Sequence, residues 1–337
     1  MMHHLLAQTA RQQHGLITTA QILRLGVDKR ELGRLVRAGS LVRVRRGVLT
    51  TRQEWEAADE YVGRPLLQVR AAHLRMGVAH RFSHDSAALL HGLPLPDART
   101  SLVHVTRLDV DGDRCKGGVK HHCASTDVSE HTEIDGLPAL SRARTALDLA
   151  REHGLVAGVA ACDAALALDT PRSELEAAAQ RMASWPMITT VRQAIDLSDP
   201  GAESYLESWV RVLVARLGRG RPETQFGLRV GGRSYFCDLR IGRHVIECDG
   251  QVKLRAVSVG GLAEDPERAL REEKRRQDLL SGLKIGFSRV TYAECHEPDQ
   301  LLSRLEREIR STEELWGSDI SNLAPYRIQR APRPYAS

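Results

Sequence analysis

Residues 18–51 read TTAQILRLGVDKRELGRLVRAGSLVRVRRGVLTT, and this stretch decides the fold of the N-terminal part of the chain. Its first segment has apolar residues spaced for one buried helix face, a threonine to cap its start and Gly26 to end it. A second helix begins at Asp28, with Glu31 three residues later, a pair typical of a helix N-terminus. Apolar side chains then recur at i, i+3 and i+4, so the sequence predicts two short helices joined by a tight turn.

Two β-prone runs follow, residues 41–44 and 48–51, joined by a tip that ends in Gly47. Glycine supplies the unusual backbone angles that a hairpin tip needs. Helix, turn, helix and basic hairpin together predict a winged helix, whose second helix enters the major groove of DNA while the wing lies along phosphates. The cations expected to contact DNA are Lys29, Arg30, Arg34, Arg37, Arg43, Arg45 and Arg46.

Positive charge is concentrated at this end of the chain. Residues 1–52 contain ten Arg or Lys and two acidic residues, a net charge of +8, whereas the whole chain carries +5. The excess predicts a polyanionic partner. A winged helix used for protein contacts, or a solvated arginine-rich surface, would have the same composition, so the assignment depends on the geometry.

Length and composition favour several globular domains. The chain has 337 residues, which is more than one hydrophobic core usually organises. Its composition, 42% hydrophobic, is ordinary for globular proteins. Residues 1–15 do not resemble a signal peptide, and the apolar run 155–168 is shorter than the roughly 20 residues that cross a bilayer. The six cysteines contain no C-x-x-C pair. We therefore expect a cytoplasmic, nucleoid-associated protein with reduced thiols, a buried helix at 155–168 and no membrane partner.

The middle of the chain, residues 60–190, predicts helices near 64–76, 83–90, 141–151 and 171–181, with a few strands between them. Soft metal ligands occur together at Cys115, His121, His122 and Cys123. The run CKGGVK equally fits a strand, a Gly-Gly turn and a strand, and this is the favoured interpretation. His84 and Asp85 stand at a helix start and could pair with each other, but a surface histidine is the favoured interpretation.

Residues 200–312 have a different pattern. After a break at residues 199–201 comes an amphipathic helix, then three candidate strands at 224–230, 234–239 and 244–248, separated by short turns. A charged helix is predicted at 266–282 and a further strand at 285–290. The three consecutive strands predict a β-meander.

Acidic residues gather on this predicted sheet. Asp238 lies near the end of the second strand, and Glu247 and Asp249 lie two residues apart on the third, so they point to one face. Glu207 on the preceding helix is a further carboxylate. Clustered carboxylates repel one another unless a cation lies between them, and oxygen ligands suit Mg²⁺ or Mn²⁺. Such ions activate water and neutralise the charge of a phosphoryl transition state.

Two family resemblances accompany these patterns. The segment RAGSLVRVRRGVL resembles the N-terminal winged helix of the abortive-infection type IV antitoxin family, and FSHDSAALLHGLPLP and LSRARTALDLA resemble that family's second domain. The resemblance implies a domain that binds promoter DNA and represses its own operon. The order of a helix with Glu207, then Asp238, then the Glu-x-Asp and Lys253 of HVIECDGQVK resembles the PD-(D/E)XK nuclease superfamily, and more closely its very-short-patch-repair-endonuclease-like domains.

The second resemblance implies roles for individual residues. Asp238 and Glu247 would be metal ligands, and Glu207 would contact the metal directly or through water. Asp249 and Lys253 would orient or deprotonate the attacking water and stabilise charge. The cations that would face the scissile phosphate are Lys274, Arg275 and Arg276. Asp238 is not preceded by Pro, and Lys253 stands where many relatives have His, which leaves the proton acceptor open.

The sequence thus predicts a multidomain α+β chain: a winged helix at 1–55, a mixed middle domain at 60–190, a restriction-endonuclease-like α/β domain at 200–312 and a flexible tail at 316–337. The favoured function is a Mg²⁺- or Mn²⁺-dependent endonuclease acting on double-stranded DNA in defence or DNA processing. The alternative is a non-catalytic, antitoxin-like repressor with a degenerate nuclease domain. An RNA-directed nuclease fits less well, a homodimer is compatible with the sequence, and no cognate toxin can be identified.

Overall fold

The structure, a computed structural model, describes residues 2–96, 102–249, 279, 281–329 and 335. The fold is mixed α+β and multidomain, as predicted. The helices are α1 Met2–Arg11, α2 Thr19–Arg24, α3 Lys29–Arg37, α4 Arg52–Ala57, α5 Gly63–His73, α6 His84–His91, α7 Arg142–His153, α8 Leu155–Ala167, α9 Arg172–Arg181, α10 Ile188–Leu197, α11 Tyr205–Ala215, α12 Tyr292–Cys295 and α13 Pro298–Trp316. The strands are β1 Leu16–Thr18, β2 Leu41–Arg45, β3 Val48–Thr51, β4 Arg81–Phe82, β5 Val103–Arg107, β6 Arg114–Lys116, β7 Val119–Cys123, β8 His131–Ile134, β9 Leu137–Leu140, β10 Glu223–Val230, β11 Arg233–Ile241, β12 His244–Asp249, β13 Gly286–Thr291 and β14 Arg327–Ile328.

The chain divides into two compact units. Unit 1 comprises Met1–Glu152 and Glu174–Trp185, and unit 2 comprises His153–Ser173 and Pro186–Ser337. No helix within the described ranges is long and apolar enough to span a bilayer. The cysteines, all of which lie in those ranges, form no disulfide.

Unit 1 begins with the predicted helix-turn-helix and hairpin. A three-stranded sheet of order β1-β3-β2 carries α1, α2 and α3, whose apolar faces meet over Ile22, Val27 and Leu49. The other side of the hairpin packs against α5, where Val44 and Val48 share a core with residues of that helix. The wing is therefore held on both faces by buried apolar side chains.

The remainder of unit 1 is a six-stranded mixed sheet of order β6-β7-β5-β4-β9-β8. Helices α5 and α6 cover it, and Val69, Phe82 and Val105 belong to its core. The CKGGVK run forms the antiparallel β6–β7 hairpin, which confirms the strand-turn-strand interpretation. The helices predicted near residues 64–76, 83–90, 141–151 and 171–181 correspond to α5, α6, α7 and α9.

Unit 2 contains a five-stranded sheet of order β13-β12-β11-β10-β14. Strands β10, β11 and β12 form the predicted antiparallel meander, whereas β12 and β13 pair in parallel. Helices α11 and α13 bury leucine, valine and isoleucine side chains against β11, β12 and β13. The apolar run at 155–168 forms α8, which is almost entirely buried, as predicted. The predicted helix at 266–282 lies largely outside the described residues.

The C-terminal stretch differs from the expected flexible tail. Residues 327–328 form β14, which pairs with β10, and Leu323 is fully buried in the core that β10 lines. Gly227 allows this pairing, because a Cβ there would lie 2.4 Å from the Ile328 carbonyl oxygen. The Tyr335 hydroxyl lies 2.8 Å from Ser208 Oγ. The proline and arginine content of this stretch suggested flexibility. The sequence could not reveal the pairing of β14, because pairing with a distant strand leaves no local pattern.

Candidate functional site: a basic surface and an acidic cluster

The start of α3 is fixed by its first carboxylate. Asp28 Oδ1 accepts hydrogen bonds from the backbone N–H groups of Arg30 at 2.7 Å and Glu31 at 2.8 Å, which satisfies two donors that a helix N-terminus leaves open. The apolar side of the helix packs on the winged-helix core through Leu32 and Val36. The charged residues must therefore face away from that core.

Six of the seven cations predicted to contact DNA are exposed. These residues are Lys29, Arg30, Arg34, Arg37, Arg43 and Arg46, which we call the basic surface. Four lie on α3 and two on the wing, all in unit 1. Arg34 also forms a loose ion pair with Glu31 at 3.6 Å, a contact that costs little to break in water.

The seventh cation, Arg45, has a different environment. Its Nη2 donates a hydrogen bond to the Gly117 carbonyl oxygen at 2.6 Å, and burial lowers the pKa of its guanidinium. Gln68 on α5 similarly donates to the Val44 carbonyl oxygen at 2.8 Å. The Arg45 side chain thus ties the wing to the β6–β7 turn, and its guanidinium is engaged within unit 1.

In unit 2, Glu207 is held at the first turn of α11. Ser204 caps the helix by accepting from the Glu207 N–H, and the Ser204 hydroxyl donates back to Glu207 Oε1 at 2.9 Å. Glu207 Oε2 accepts from the Glu203 N–H at 2.8 Å and from Gln225 Nε2 at 3.2 Å. Only 6% of Glu207 is exposed, so the carboxylate is buried but well supplied with donors.

Asp238 and Glu247 approach each other across two strands. Strand β11 pairs with β12 with Leu239 opposite Ile246, and Asp238 and Glu247 are the residues next to this pair on the two strands. Asp238 Oδ2 accepts a hydrogen bond from the Cys248 N–H at 2.8 Å. Burial raises the pKa of the Cys248 thiol, and the negative charges of Asp238, Glu207 and Glu247 raise it further. All three carboxylates therefore lie near Cys248, and we call them the acidic cluster.

The acidic cluster has suitable chemistry for a hard divalent cation, because its donors are carboxylate oxygens. A tighter group of possible metal ligands within the described ranges lies elsewhere. It consists of His84, His104 and His122, whose ligand atoms all lie within 4.8 Å of one another. Asp238 and Glu247 could hold the cation, and Glu207 could contact it directly or through water. The Asp249 backbone pairs with β13. Lys253, Lys274, Arg275 and Arg276 lie outside the described residues.

The histidine group was missed by sequence reasoning. His84 was expected at the surface with Asp85, but the two residues are only 5% and 6% exposed. Helix α6 packs against β5, and this contact covers them. His84 adjoins His104 and His122, which come from two strands. Intervals of 20 and 18 residues match no local metal motif, so only the sheet topology brings these rings together.

Comparisons with known proteins match the N-terminal segment. Residues 4–50 match the family described as "Transcriptional regulator, AbiEi antitoxin", so the chain carries a regulator domain of this type at its N-terminus. No curated protein matches the chain. Among solved structures, the RV2827C protein from Mycobacterium tuberculosis is similar, with 16% identity and a TM-score of 0.38 over 57% of this chain and 75% of that chain.

Proposed function

We propose that the protein is a metal-dependent DNA endonuclease that binds its substrate through the N-terminal winged helix. The DNA-binding step is supported by the basic surface, whose six exposed cations lie on one helix and the adjoining wing. In this arrangement α3 enters the major groove, and Arg43 and Arg46 contact phosphates beside it. The match of residues 4–50 to a transcriptional-regulator family supports the same partner, double-stranded DNA.

The observation that carries the hydrolytic step is the acidic cluster. Three carboxylates from α11, β11 and β12 lie around Cys248, on a sheet that changes from antiparallel to parallel pairing at β12. A bound Mg²⁺ or Mn²⁺ would supply an activated water and neutralise phosphate charge. Asp238 and Glu247 hold the cation in this proposal, while the Ser204 and Gln225 donors orient the Glu207 carboxylate.

Residues outside the described ranges complete the proposed site. Asp249 and Lys253 lie two and six residues after Glu247 in the sequence. Their proposed task is to orient the attacking water and balance developing negative charge. Lys274, Arg275 and Arg276 would hold the phosphate backbone at the point of cleavage.

Cleavage of supercoiled plasmid in Mg²⁺, Mn²⁺ or EDTA tests this proposal. We expect metal-dependent nicking by the wild-type chain and none by Asp238→Asn, which removes the charge with almost no change of shape. Asp299→Asn is the matched control, because that carboxylate is 89% exposed on α13, and it should cut like wild type. Binding in EDTA should be equal in all three proteins, because the basic surface is unchanged.

The second candidate is a transcriptional repressor that binds DNA without cutting it, and the family match at residues 4–50 favours it. In that case the protein would leave the plasmid intact in the presence of either metal. It would bind a promoter fragment tightly and release it as the salt concentration rises. Nicking that persists in Asp238→Asn would place any hydrolysis elsewhere or in a contaminant. Cleavage of RNA but not DNA would reassign the substrate.

A further inference from the structure

We propose that His84, His104 and His122 form a binding site for a transition-metal cation of the Zn²⁺ class in unit 1. The three residues come from different elements: His84 opens α6, His104 lies on β5 and His122 lies on β7. Strands β5 and β7 pair in parallel with Thr106 opposite His122, so His104, two residues before Thr106, shares a face of the sheet with His122.

Hydrogen bonds hold the start of α6 over the sheet face that carries His104 and His122. The Ser83 N–H donates to the His104 carbonyl oxygen at 3.2 Å, and the Ser86 hydroxyl accepts from the His104 N–H at 2.8 Å. His84 has a φ of +48°, a conformation that non-glycine residues adopt at an energetic cost. These contacts hold the first turn of α6, which carries His84, over His104 and His122, and all three residues are 4–5% exposed.

The ring nitrogens of His104 and His122 lie at a distance that suits one ion, and a ring nitrogen of His84 lies nearby. His104 Nδ1 lies 3.1 Å from His122 Nε2, and one ring nitrogen of His84 lies within 4.8 Å of one on each partner. Two nitrogens bound to tetrahedral Zn²⁺ at about 2.0–2.1 Å lie roughly 3.3 Å apart. The His84 ring stacks on His122 with centroids 3.7 Å apart and an 11° interplanar angle. Because a metal lies in the plane of each ring it binds, His84 must rotate when the ion enters.

The outward-facing nitrogens have the partners that metal-binding histidines usually have. His122 Nδ1 lies 3.2 Å from Asp113 Oδ2, His84 Nδ1 lies 3.0 Å from Ser83 Oγ, and His104 Nε2 lies 3.8 Å from Asp85 Oδ2. The hydrogen bonds of His122 and His84 orient their rings, and the carboxylates of Asp113 and Asp85 offset the charge of a bound cation. This leaves His104 Nδ1, His122 Nε2 and His84 Nε2 for the metal.

The chemistry of the donors separates this site from the acidic cluster. Imidazole nitrogens favour Zn²⁺, Cu²⁺, Ni²⁺ and Co²⁺, whereas Mg²⁺ and Mn²⁺ favour oxygen. Burial lowers the pKa of all three imidazoles, that of His104 to about 4, so the rings are neutral near pH 7, as metal binding requires. An ion here would cross-link α6, β5 and β7, and it would stabilise unit 1.

Titration with Co²⁺ tests the proposal, using the 337-residue chain without a histidine tag after metal has been removed with EDTA. We expect one Co²⁺ per chain with the visible absorption of tetrahedral nitrogen coordination, displaced by Zn²⁺, and unaffected by Mg²⁺. His104→Asn and His122→Gln should lose this absorption. Zn²⁺ at about 100 times its dissociation constant should raise the wild-type thermal midpoint by roughly 5 °C and leave those variants unchanged.

Two variants serve as controls. His121→Gln alters the neighbouring residue on β7, whose side chain points to the opposite sheet face, and should keep the absorption. Asp238→Asn should also keep it, which separates this site from the acidic cluster. Where a histidine variant fails to fold, wild-type protein with isotope-labelled histidine decides: one equivalent of Zn²⁺ must shift the ring-nitrogen resonances of three histidines. No tetrahedral absorption in wild type, its persistence in both histidine variants, or unshifted resonances would overturn the proposal.

Discussion

At the scale of single residues, two adjacent arginines of the wing have different tasks. Arg46 is exposed beside the hairpin tip, whereas Arg45 donates to the Gly117 carbonyl oxygen and is partly buried. A guanidinium that is already bound and desolvated has less to gain from a phosphate than one in water. The sequence could not separate the two residues, because the contact of Arg45 spans 72 positions along the chain.

We predict that Arg46→Ala weakens binding to duplex DNA and reduces the slope of log K against log salt by about 0.9, the value for one lost phosphate contact. Arg45→Ala should leave that slope unchanged and instead destabilise unit 1 by about 1 kcal/mol through its lost hydrogen bond. Salt-dependent fluorescence anisotropy and thermal unfolding measure the two effects. Equal slope losses in both variants would show that Arg45 leaves Gly117 when DNA binds.

At the scale of secondary-structure elements, the helix that carries most of the basic surface has no fully buried residue. Its position depends on partly buried contacts and on the Asp28 cap, whose Oδ1 accepts two backbone N–H groups. A short helix of this kind gains little from intrinsic propensity, so its cap contributes a large share of its stability.

We predict that Asp28→Ala destabilises the winged helix by about 1 kcal/mol and weakens DNA binding, because the first turn of α3, with Lys29 and Arg30, frays. The loss of an acidic residue would by itself strengthen binding to an anion, so weaker binding would be attributable to the cap. Asp28→Ser keeps a capping oxygen and removes the same charge, and it should bind at least as well as wild type. If Asp28→Ala binds as tightly as Asp28→Ser, helix order does not limit recognition.

The elements themselves were largely predictable. Amphipathic spacing predicted α3 and α11, and short β-prone runs between glycine turns predicted β10, β11 and β12. These signals are local, because the spacing of apolar residues within each element indicates its type without reference to the rest of the chain. Strand β14 was missed because two residues carry no periodicity and their place is set by the partner strand β10.

At the scale of the whole molecule, contacts between distant segments were the hardest feature to predict from the sequence. Strand spacing predicted that Asp238 and Glu247 lie together, and the family resemblance added Glu207, because it supplied the order of elements that a spacing pattern lacks. No such guide existed for the three clustered histidines, or for Asp163 in α8, which accepts hydrogen bonds from the Asp199 N–H and the Ser208 hydroxyl. Topology, rather than composition, decides which polar groups become buried together.

Buried histidines in both units make the stability of the molecule depend on pH. In unit 2, His244 lies between the hydroxyls of Thr312 and Ser288 at 2.7 and 2.6 Å, and burial lowers its pKa to about 4. Burial also lowers the pKa of the clustered histidines in unit 1. In the unfolded chain the imidazoles bind protons near pH 6.5. Between about pH 6.5 and 4 the unfolded state therefore binds more protons, and stability falls as pH falls.

For His244 alone, this linkage predicts a loss of about 2 kcal/mol between pH 7 and pH 5. The contribution is fully present above pH 6.5 and continues to fall until the folded pKa near 4 is reached. His244→Gln removes the titrating group, so its unfolding free energy should fall about 2 kcal/mol less than that of wild type over the same interval, whatever its stability at pH 7. Urea unfolding of metal-free protein at both pH values measures the difference, with the exposed His296→Gln as a control expected to follow wild type. Parallel losses in wild type and His244→Gln would mean that the His244 pKa is the same in the folded and unfolded states, with the charges of Glu308 and Glu313 offsetting the effect of burial.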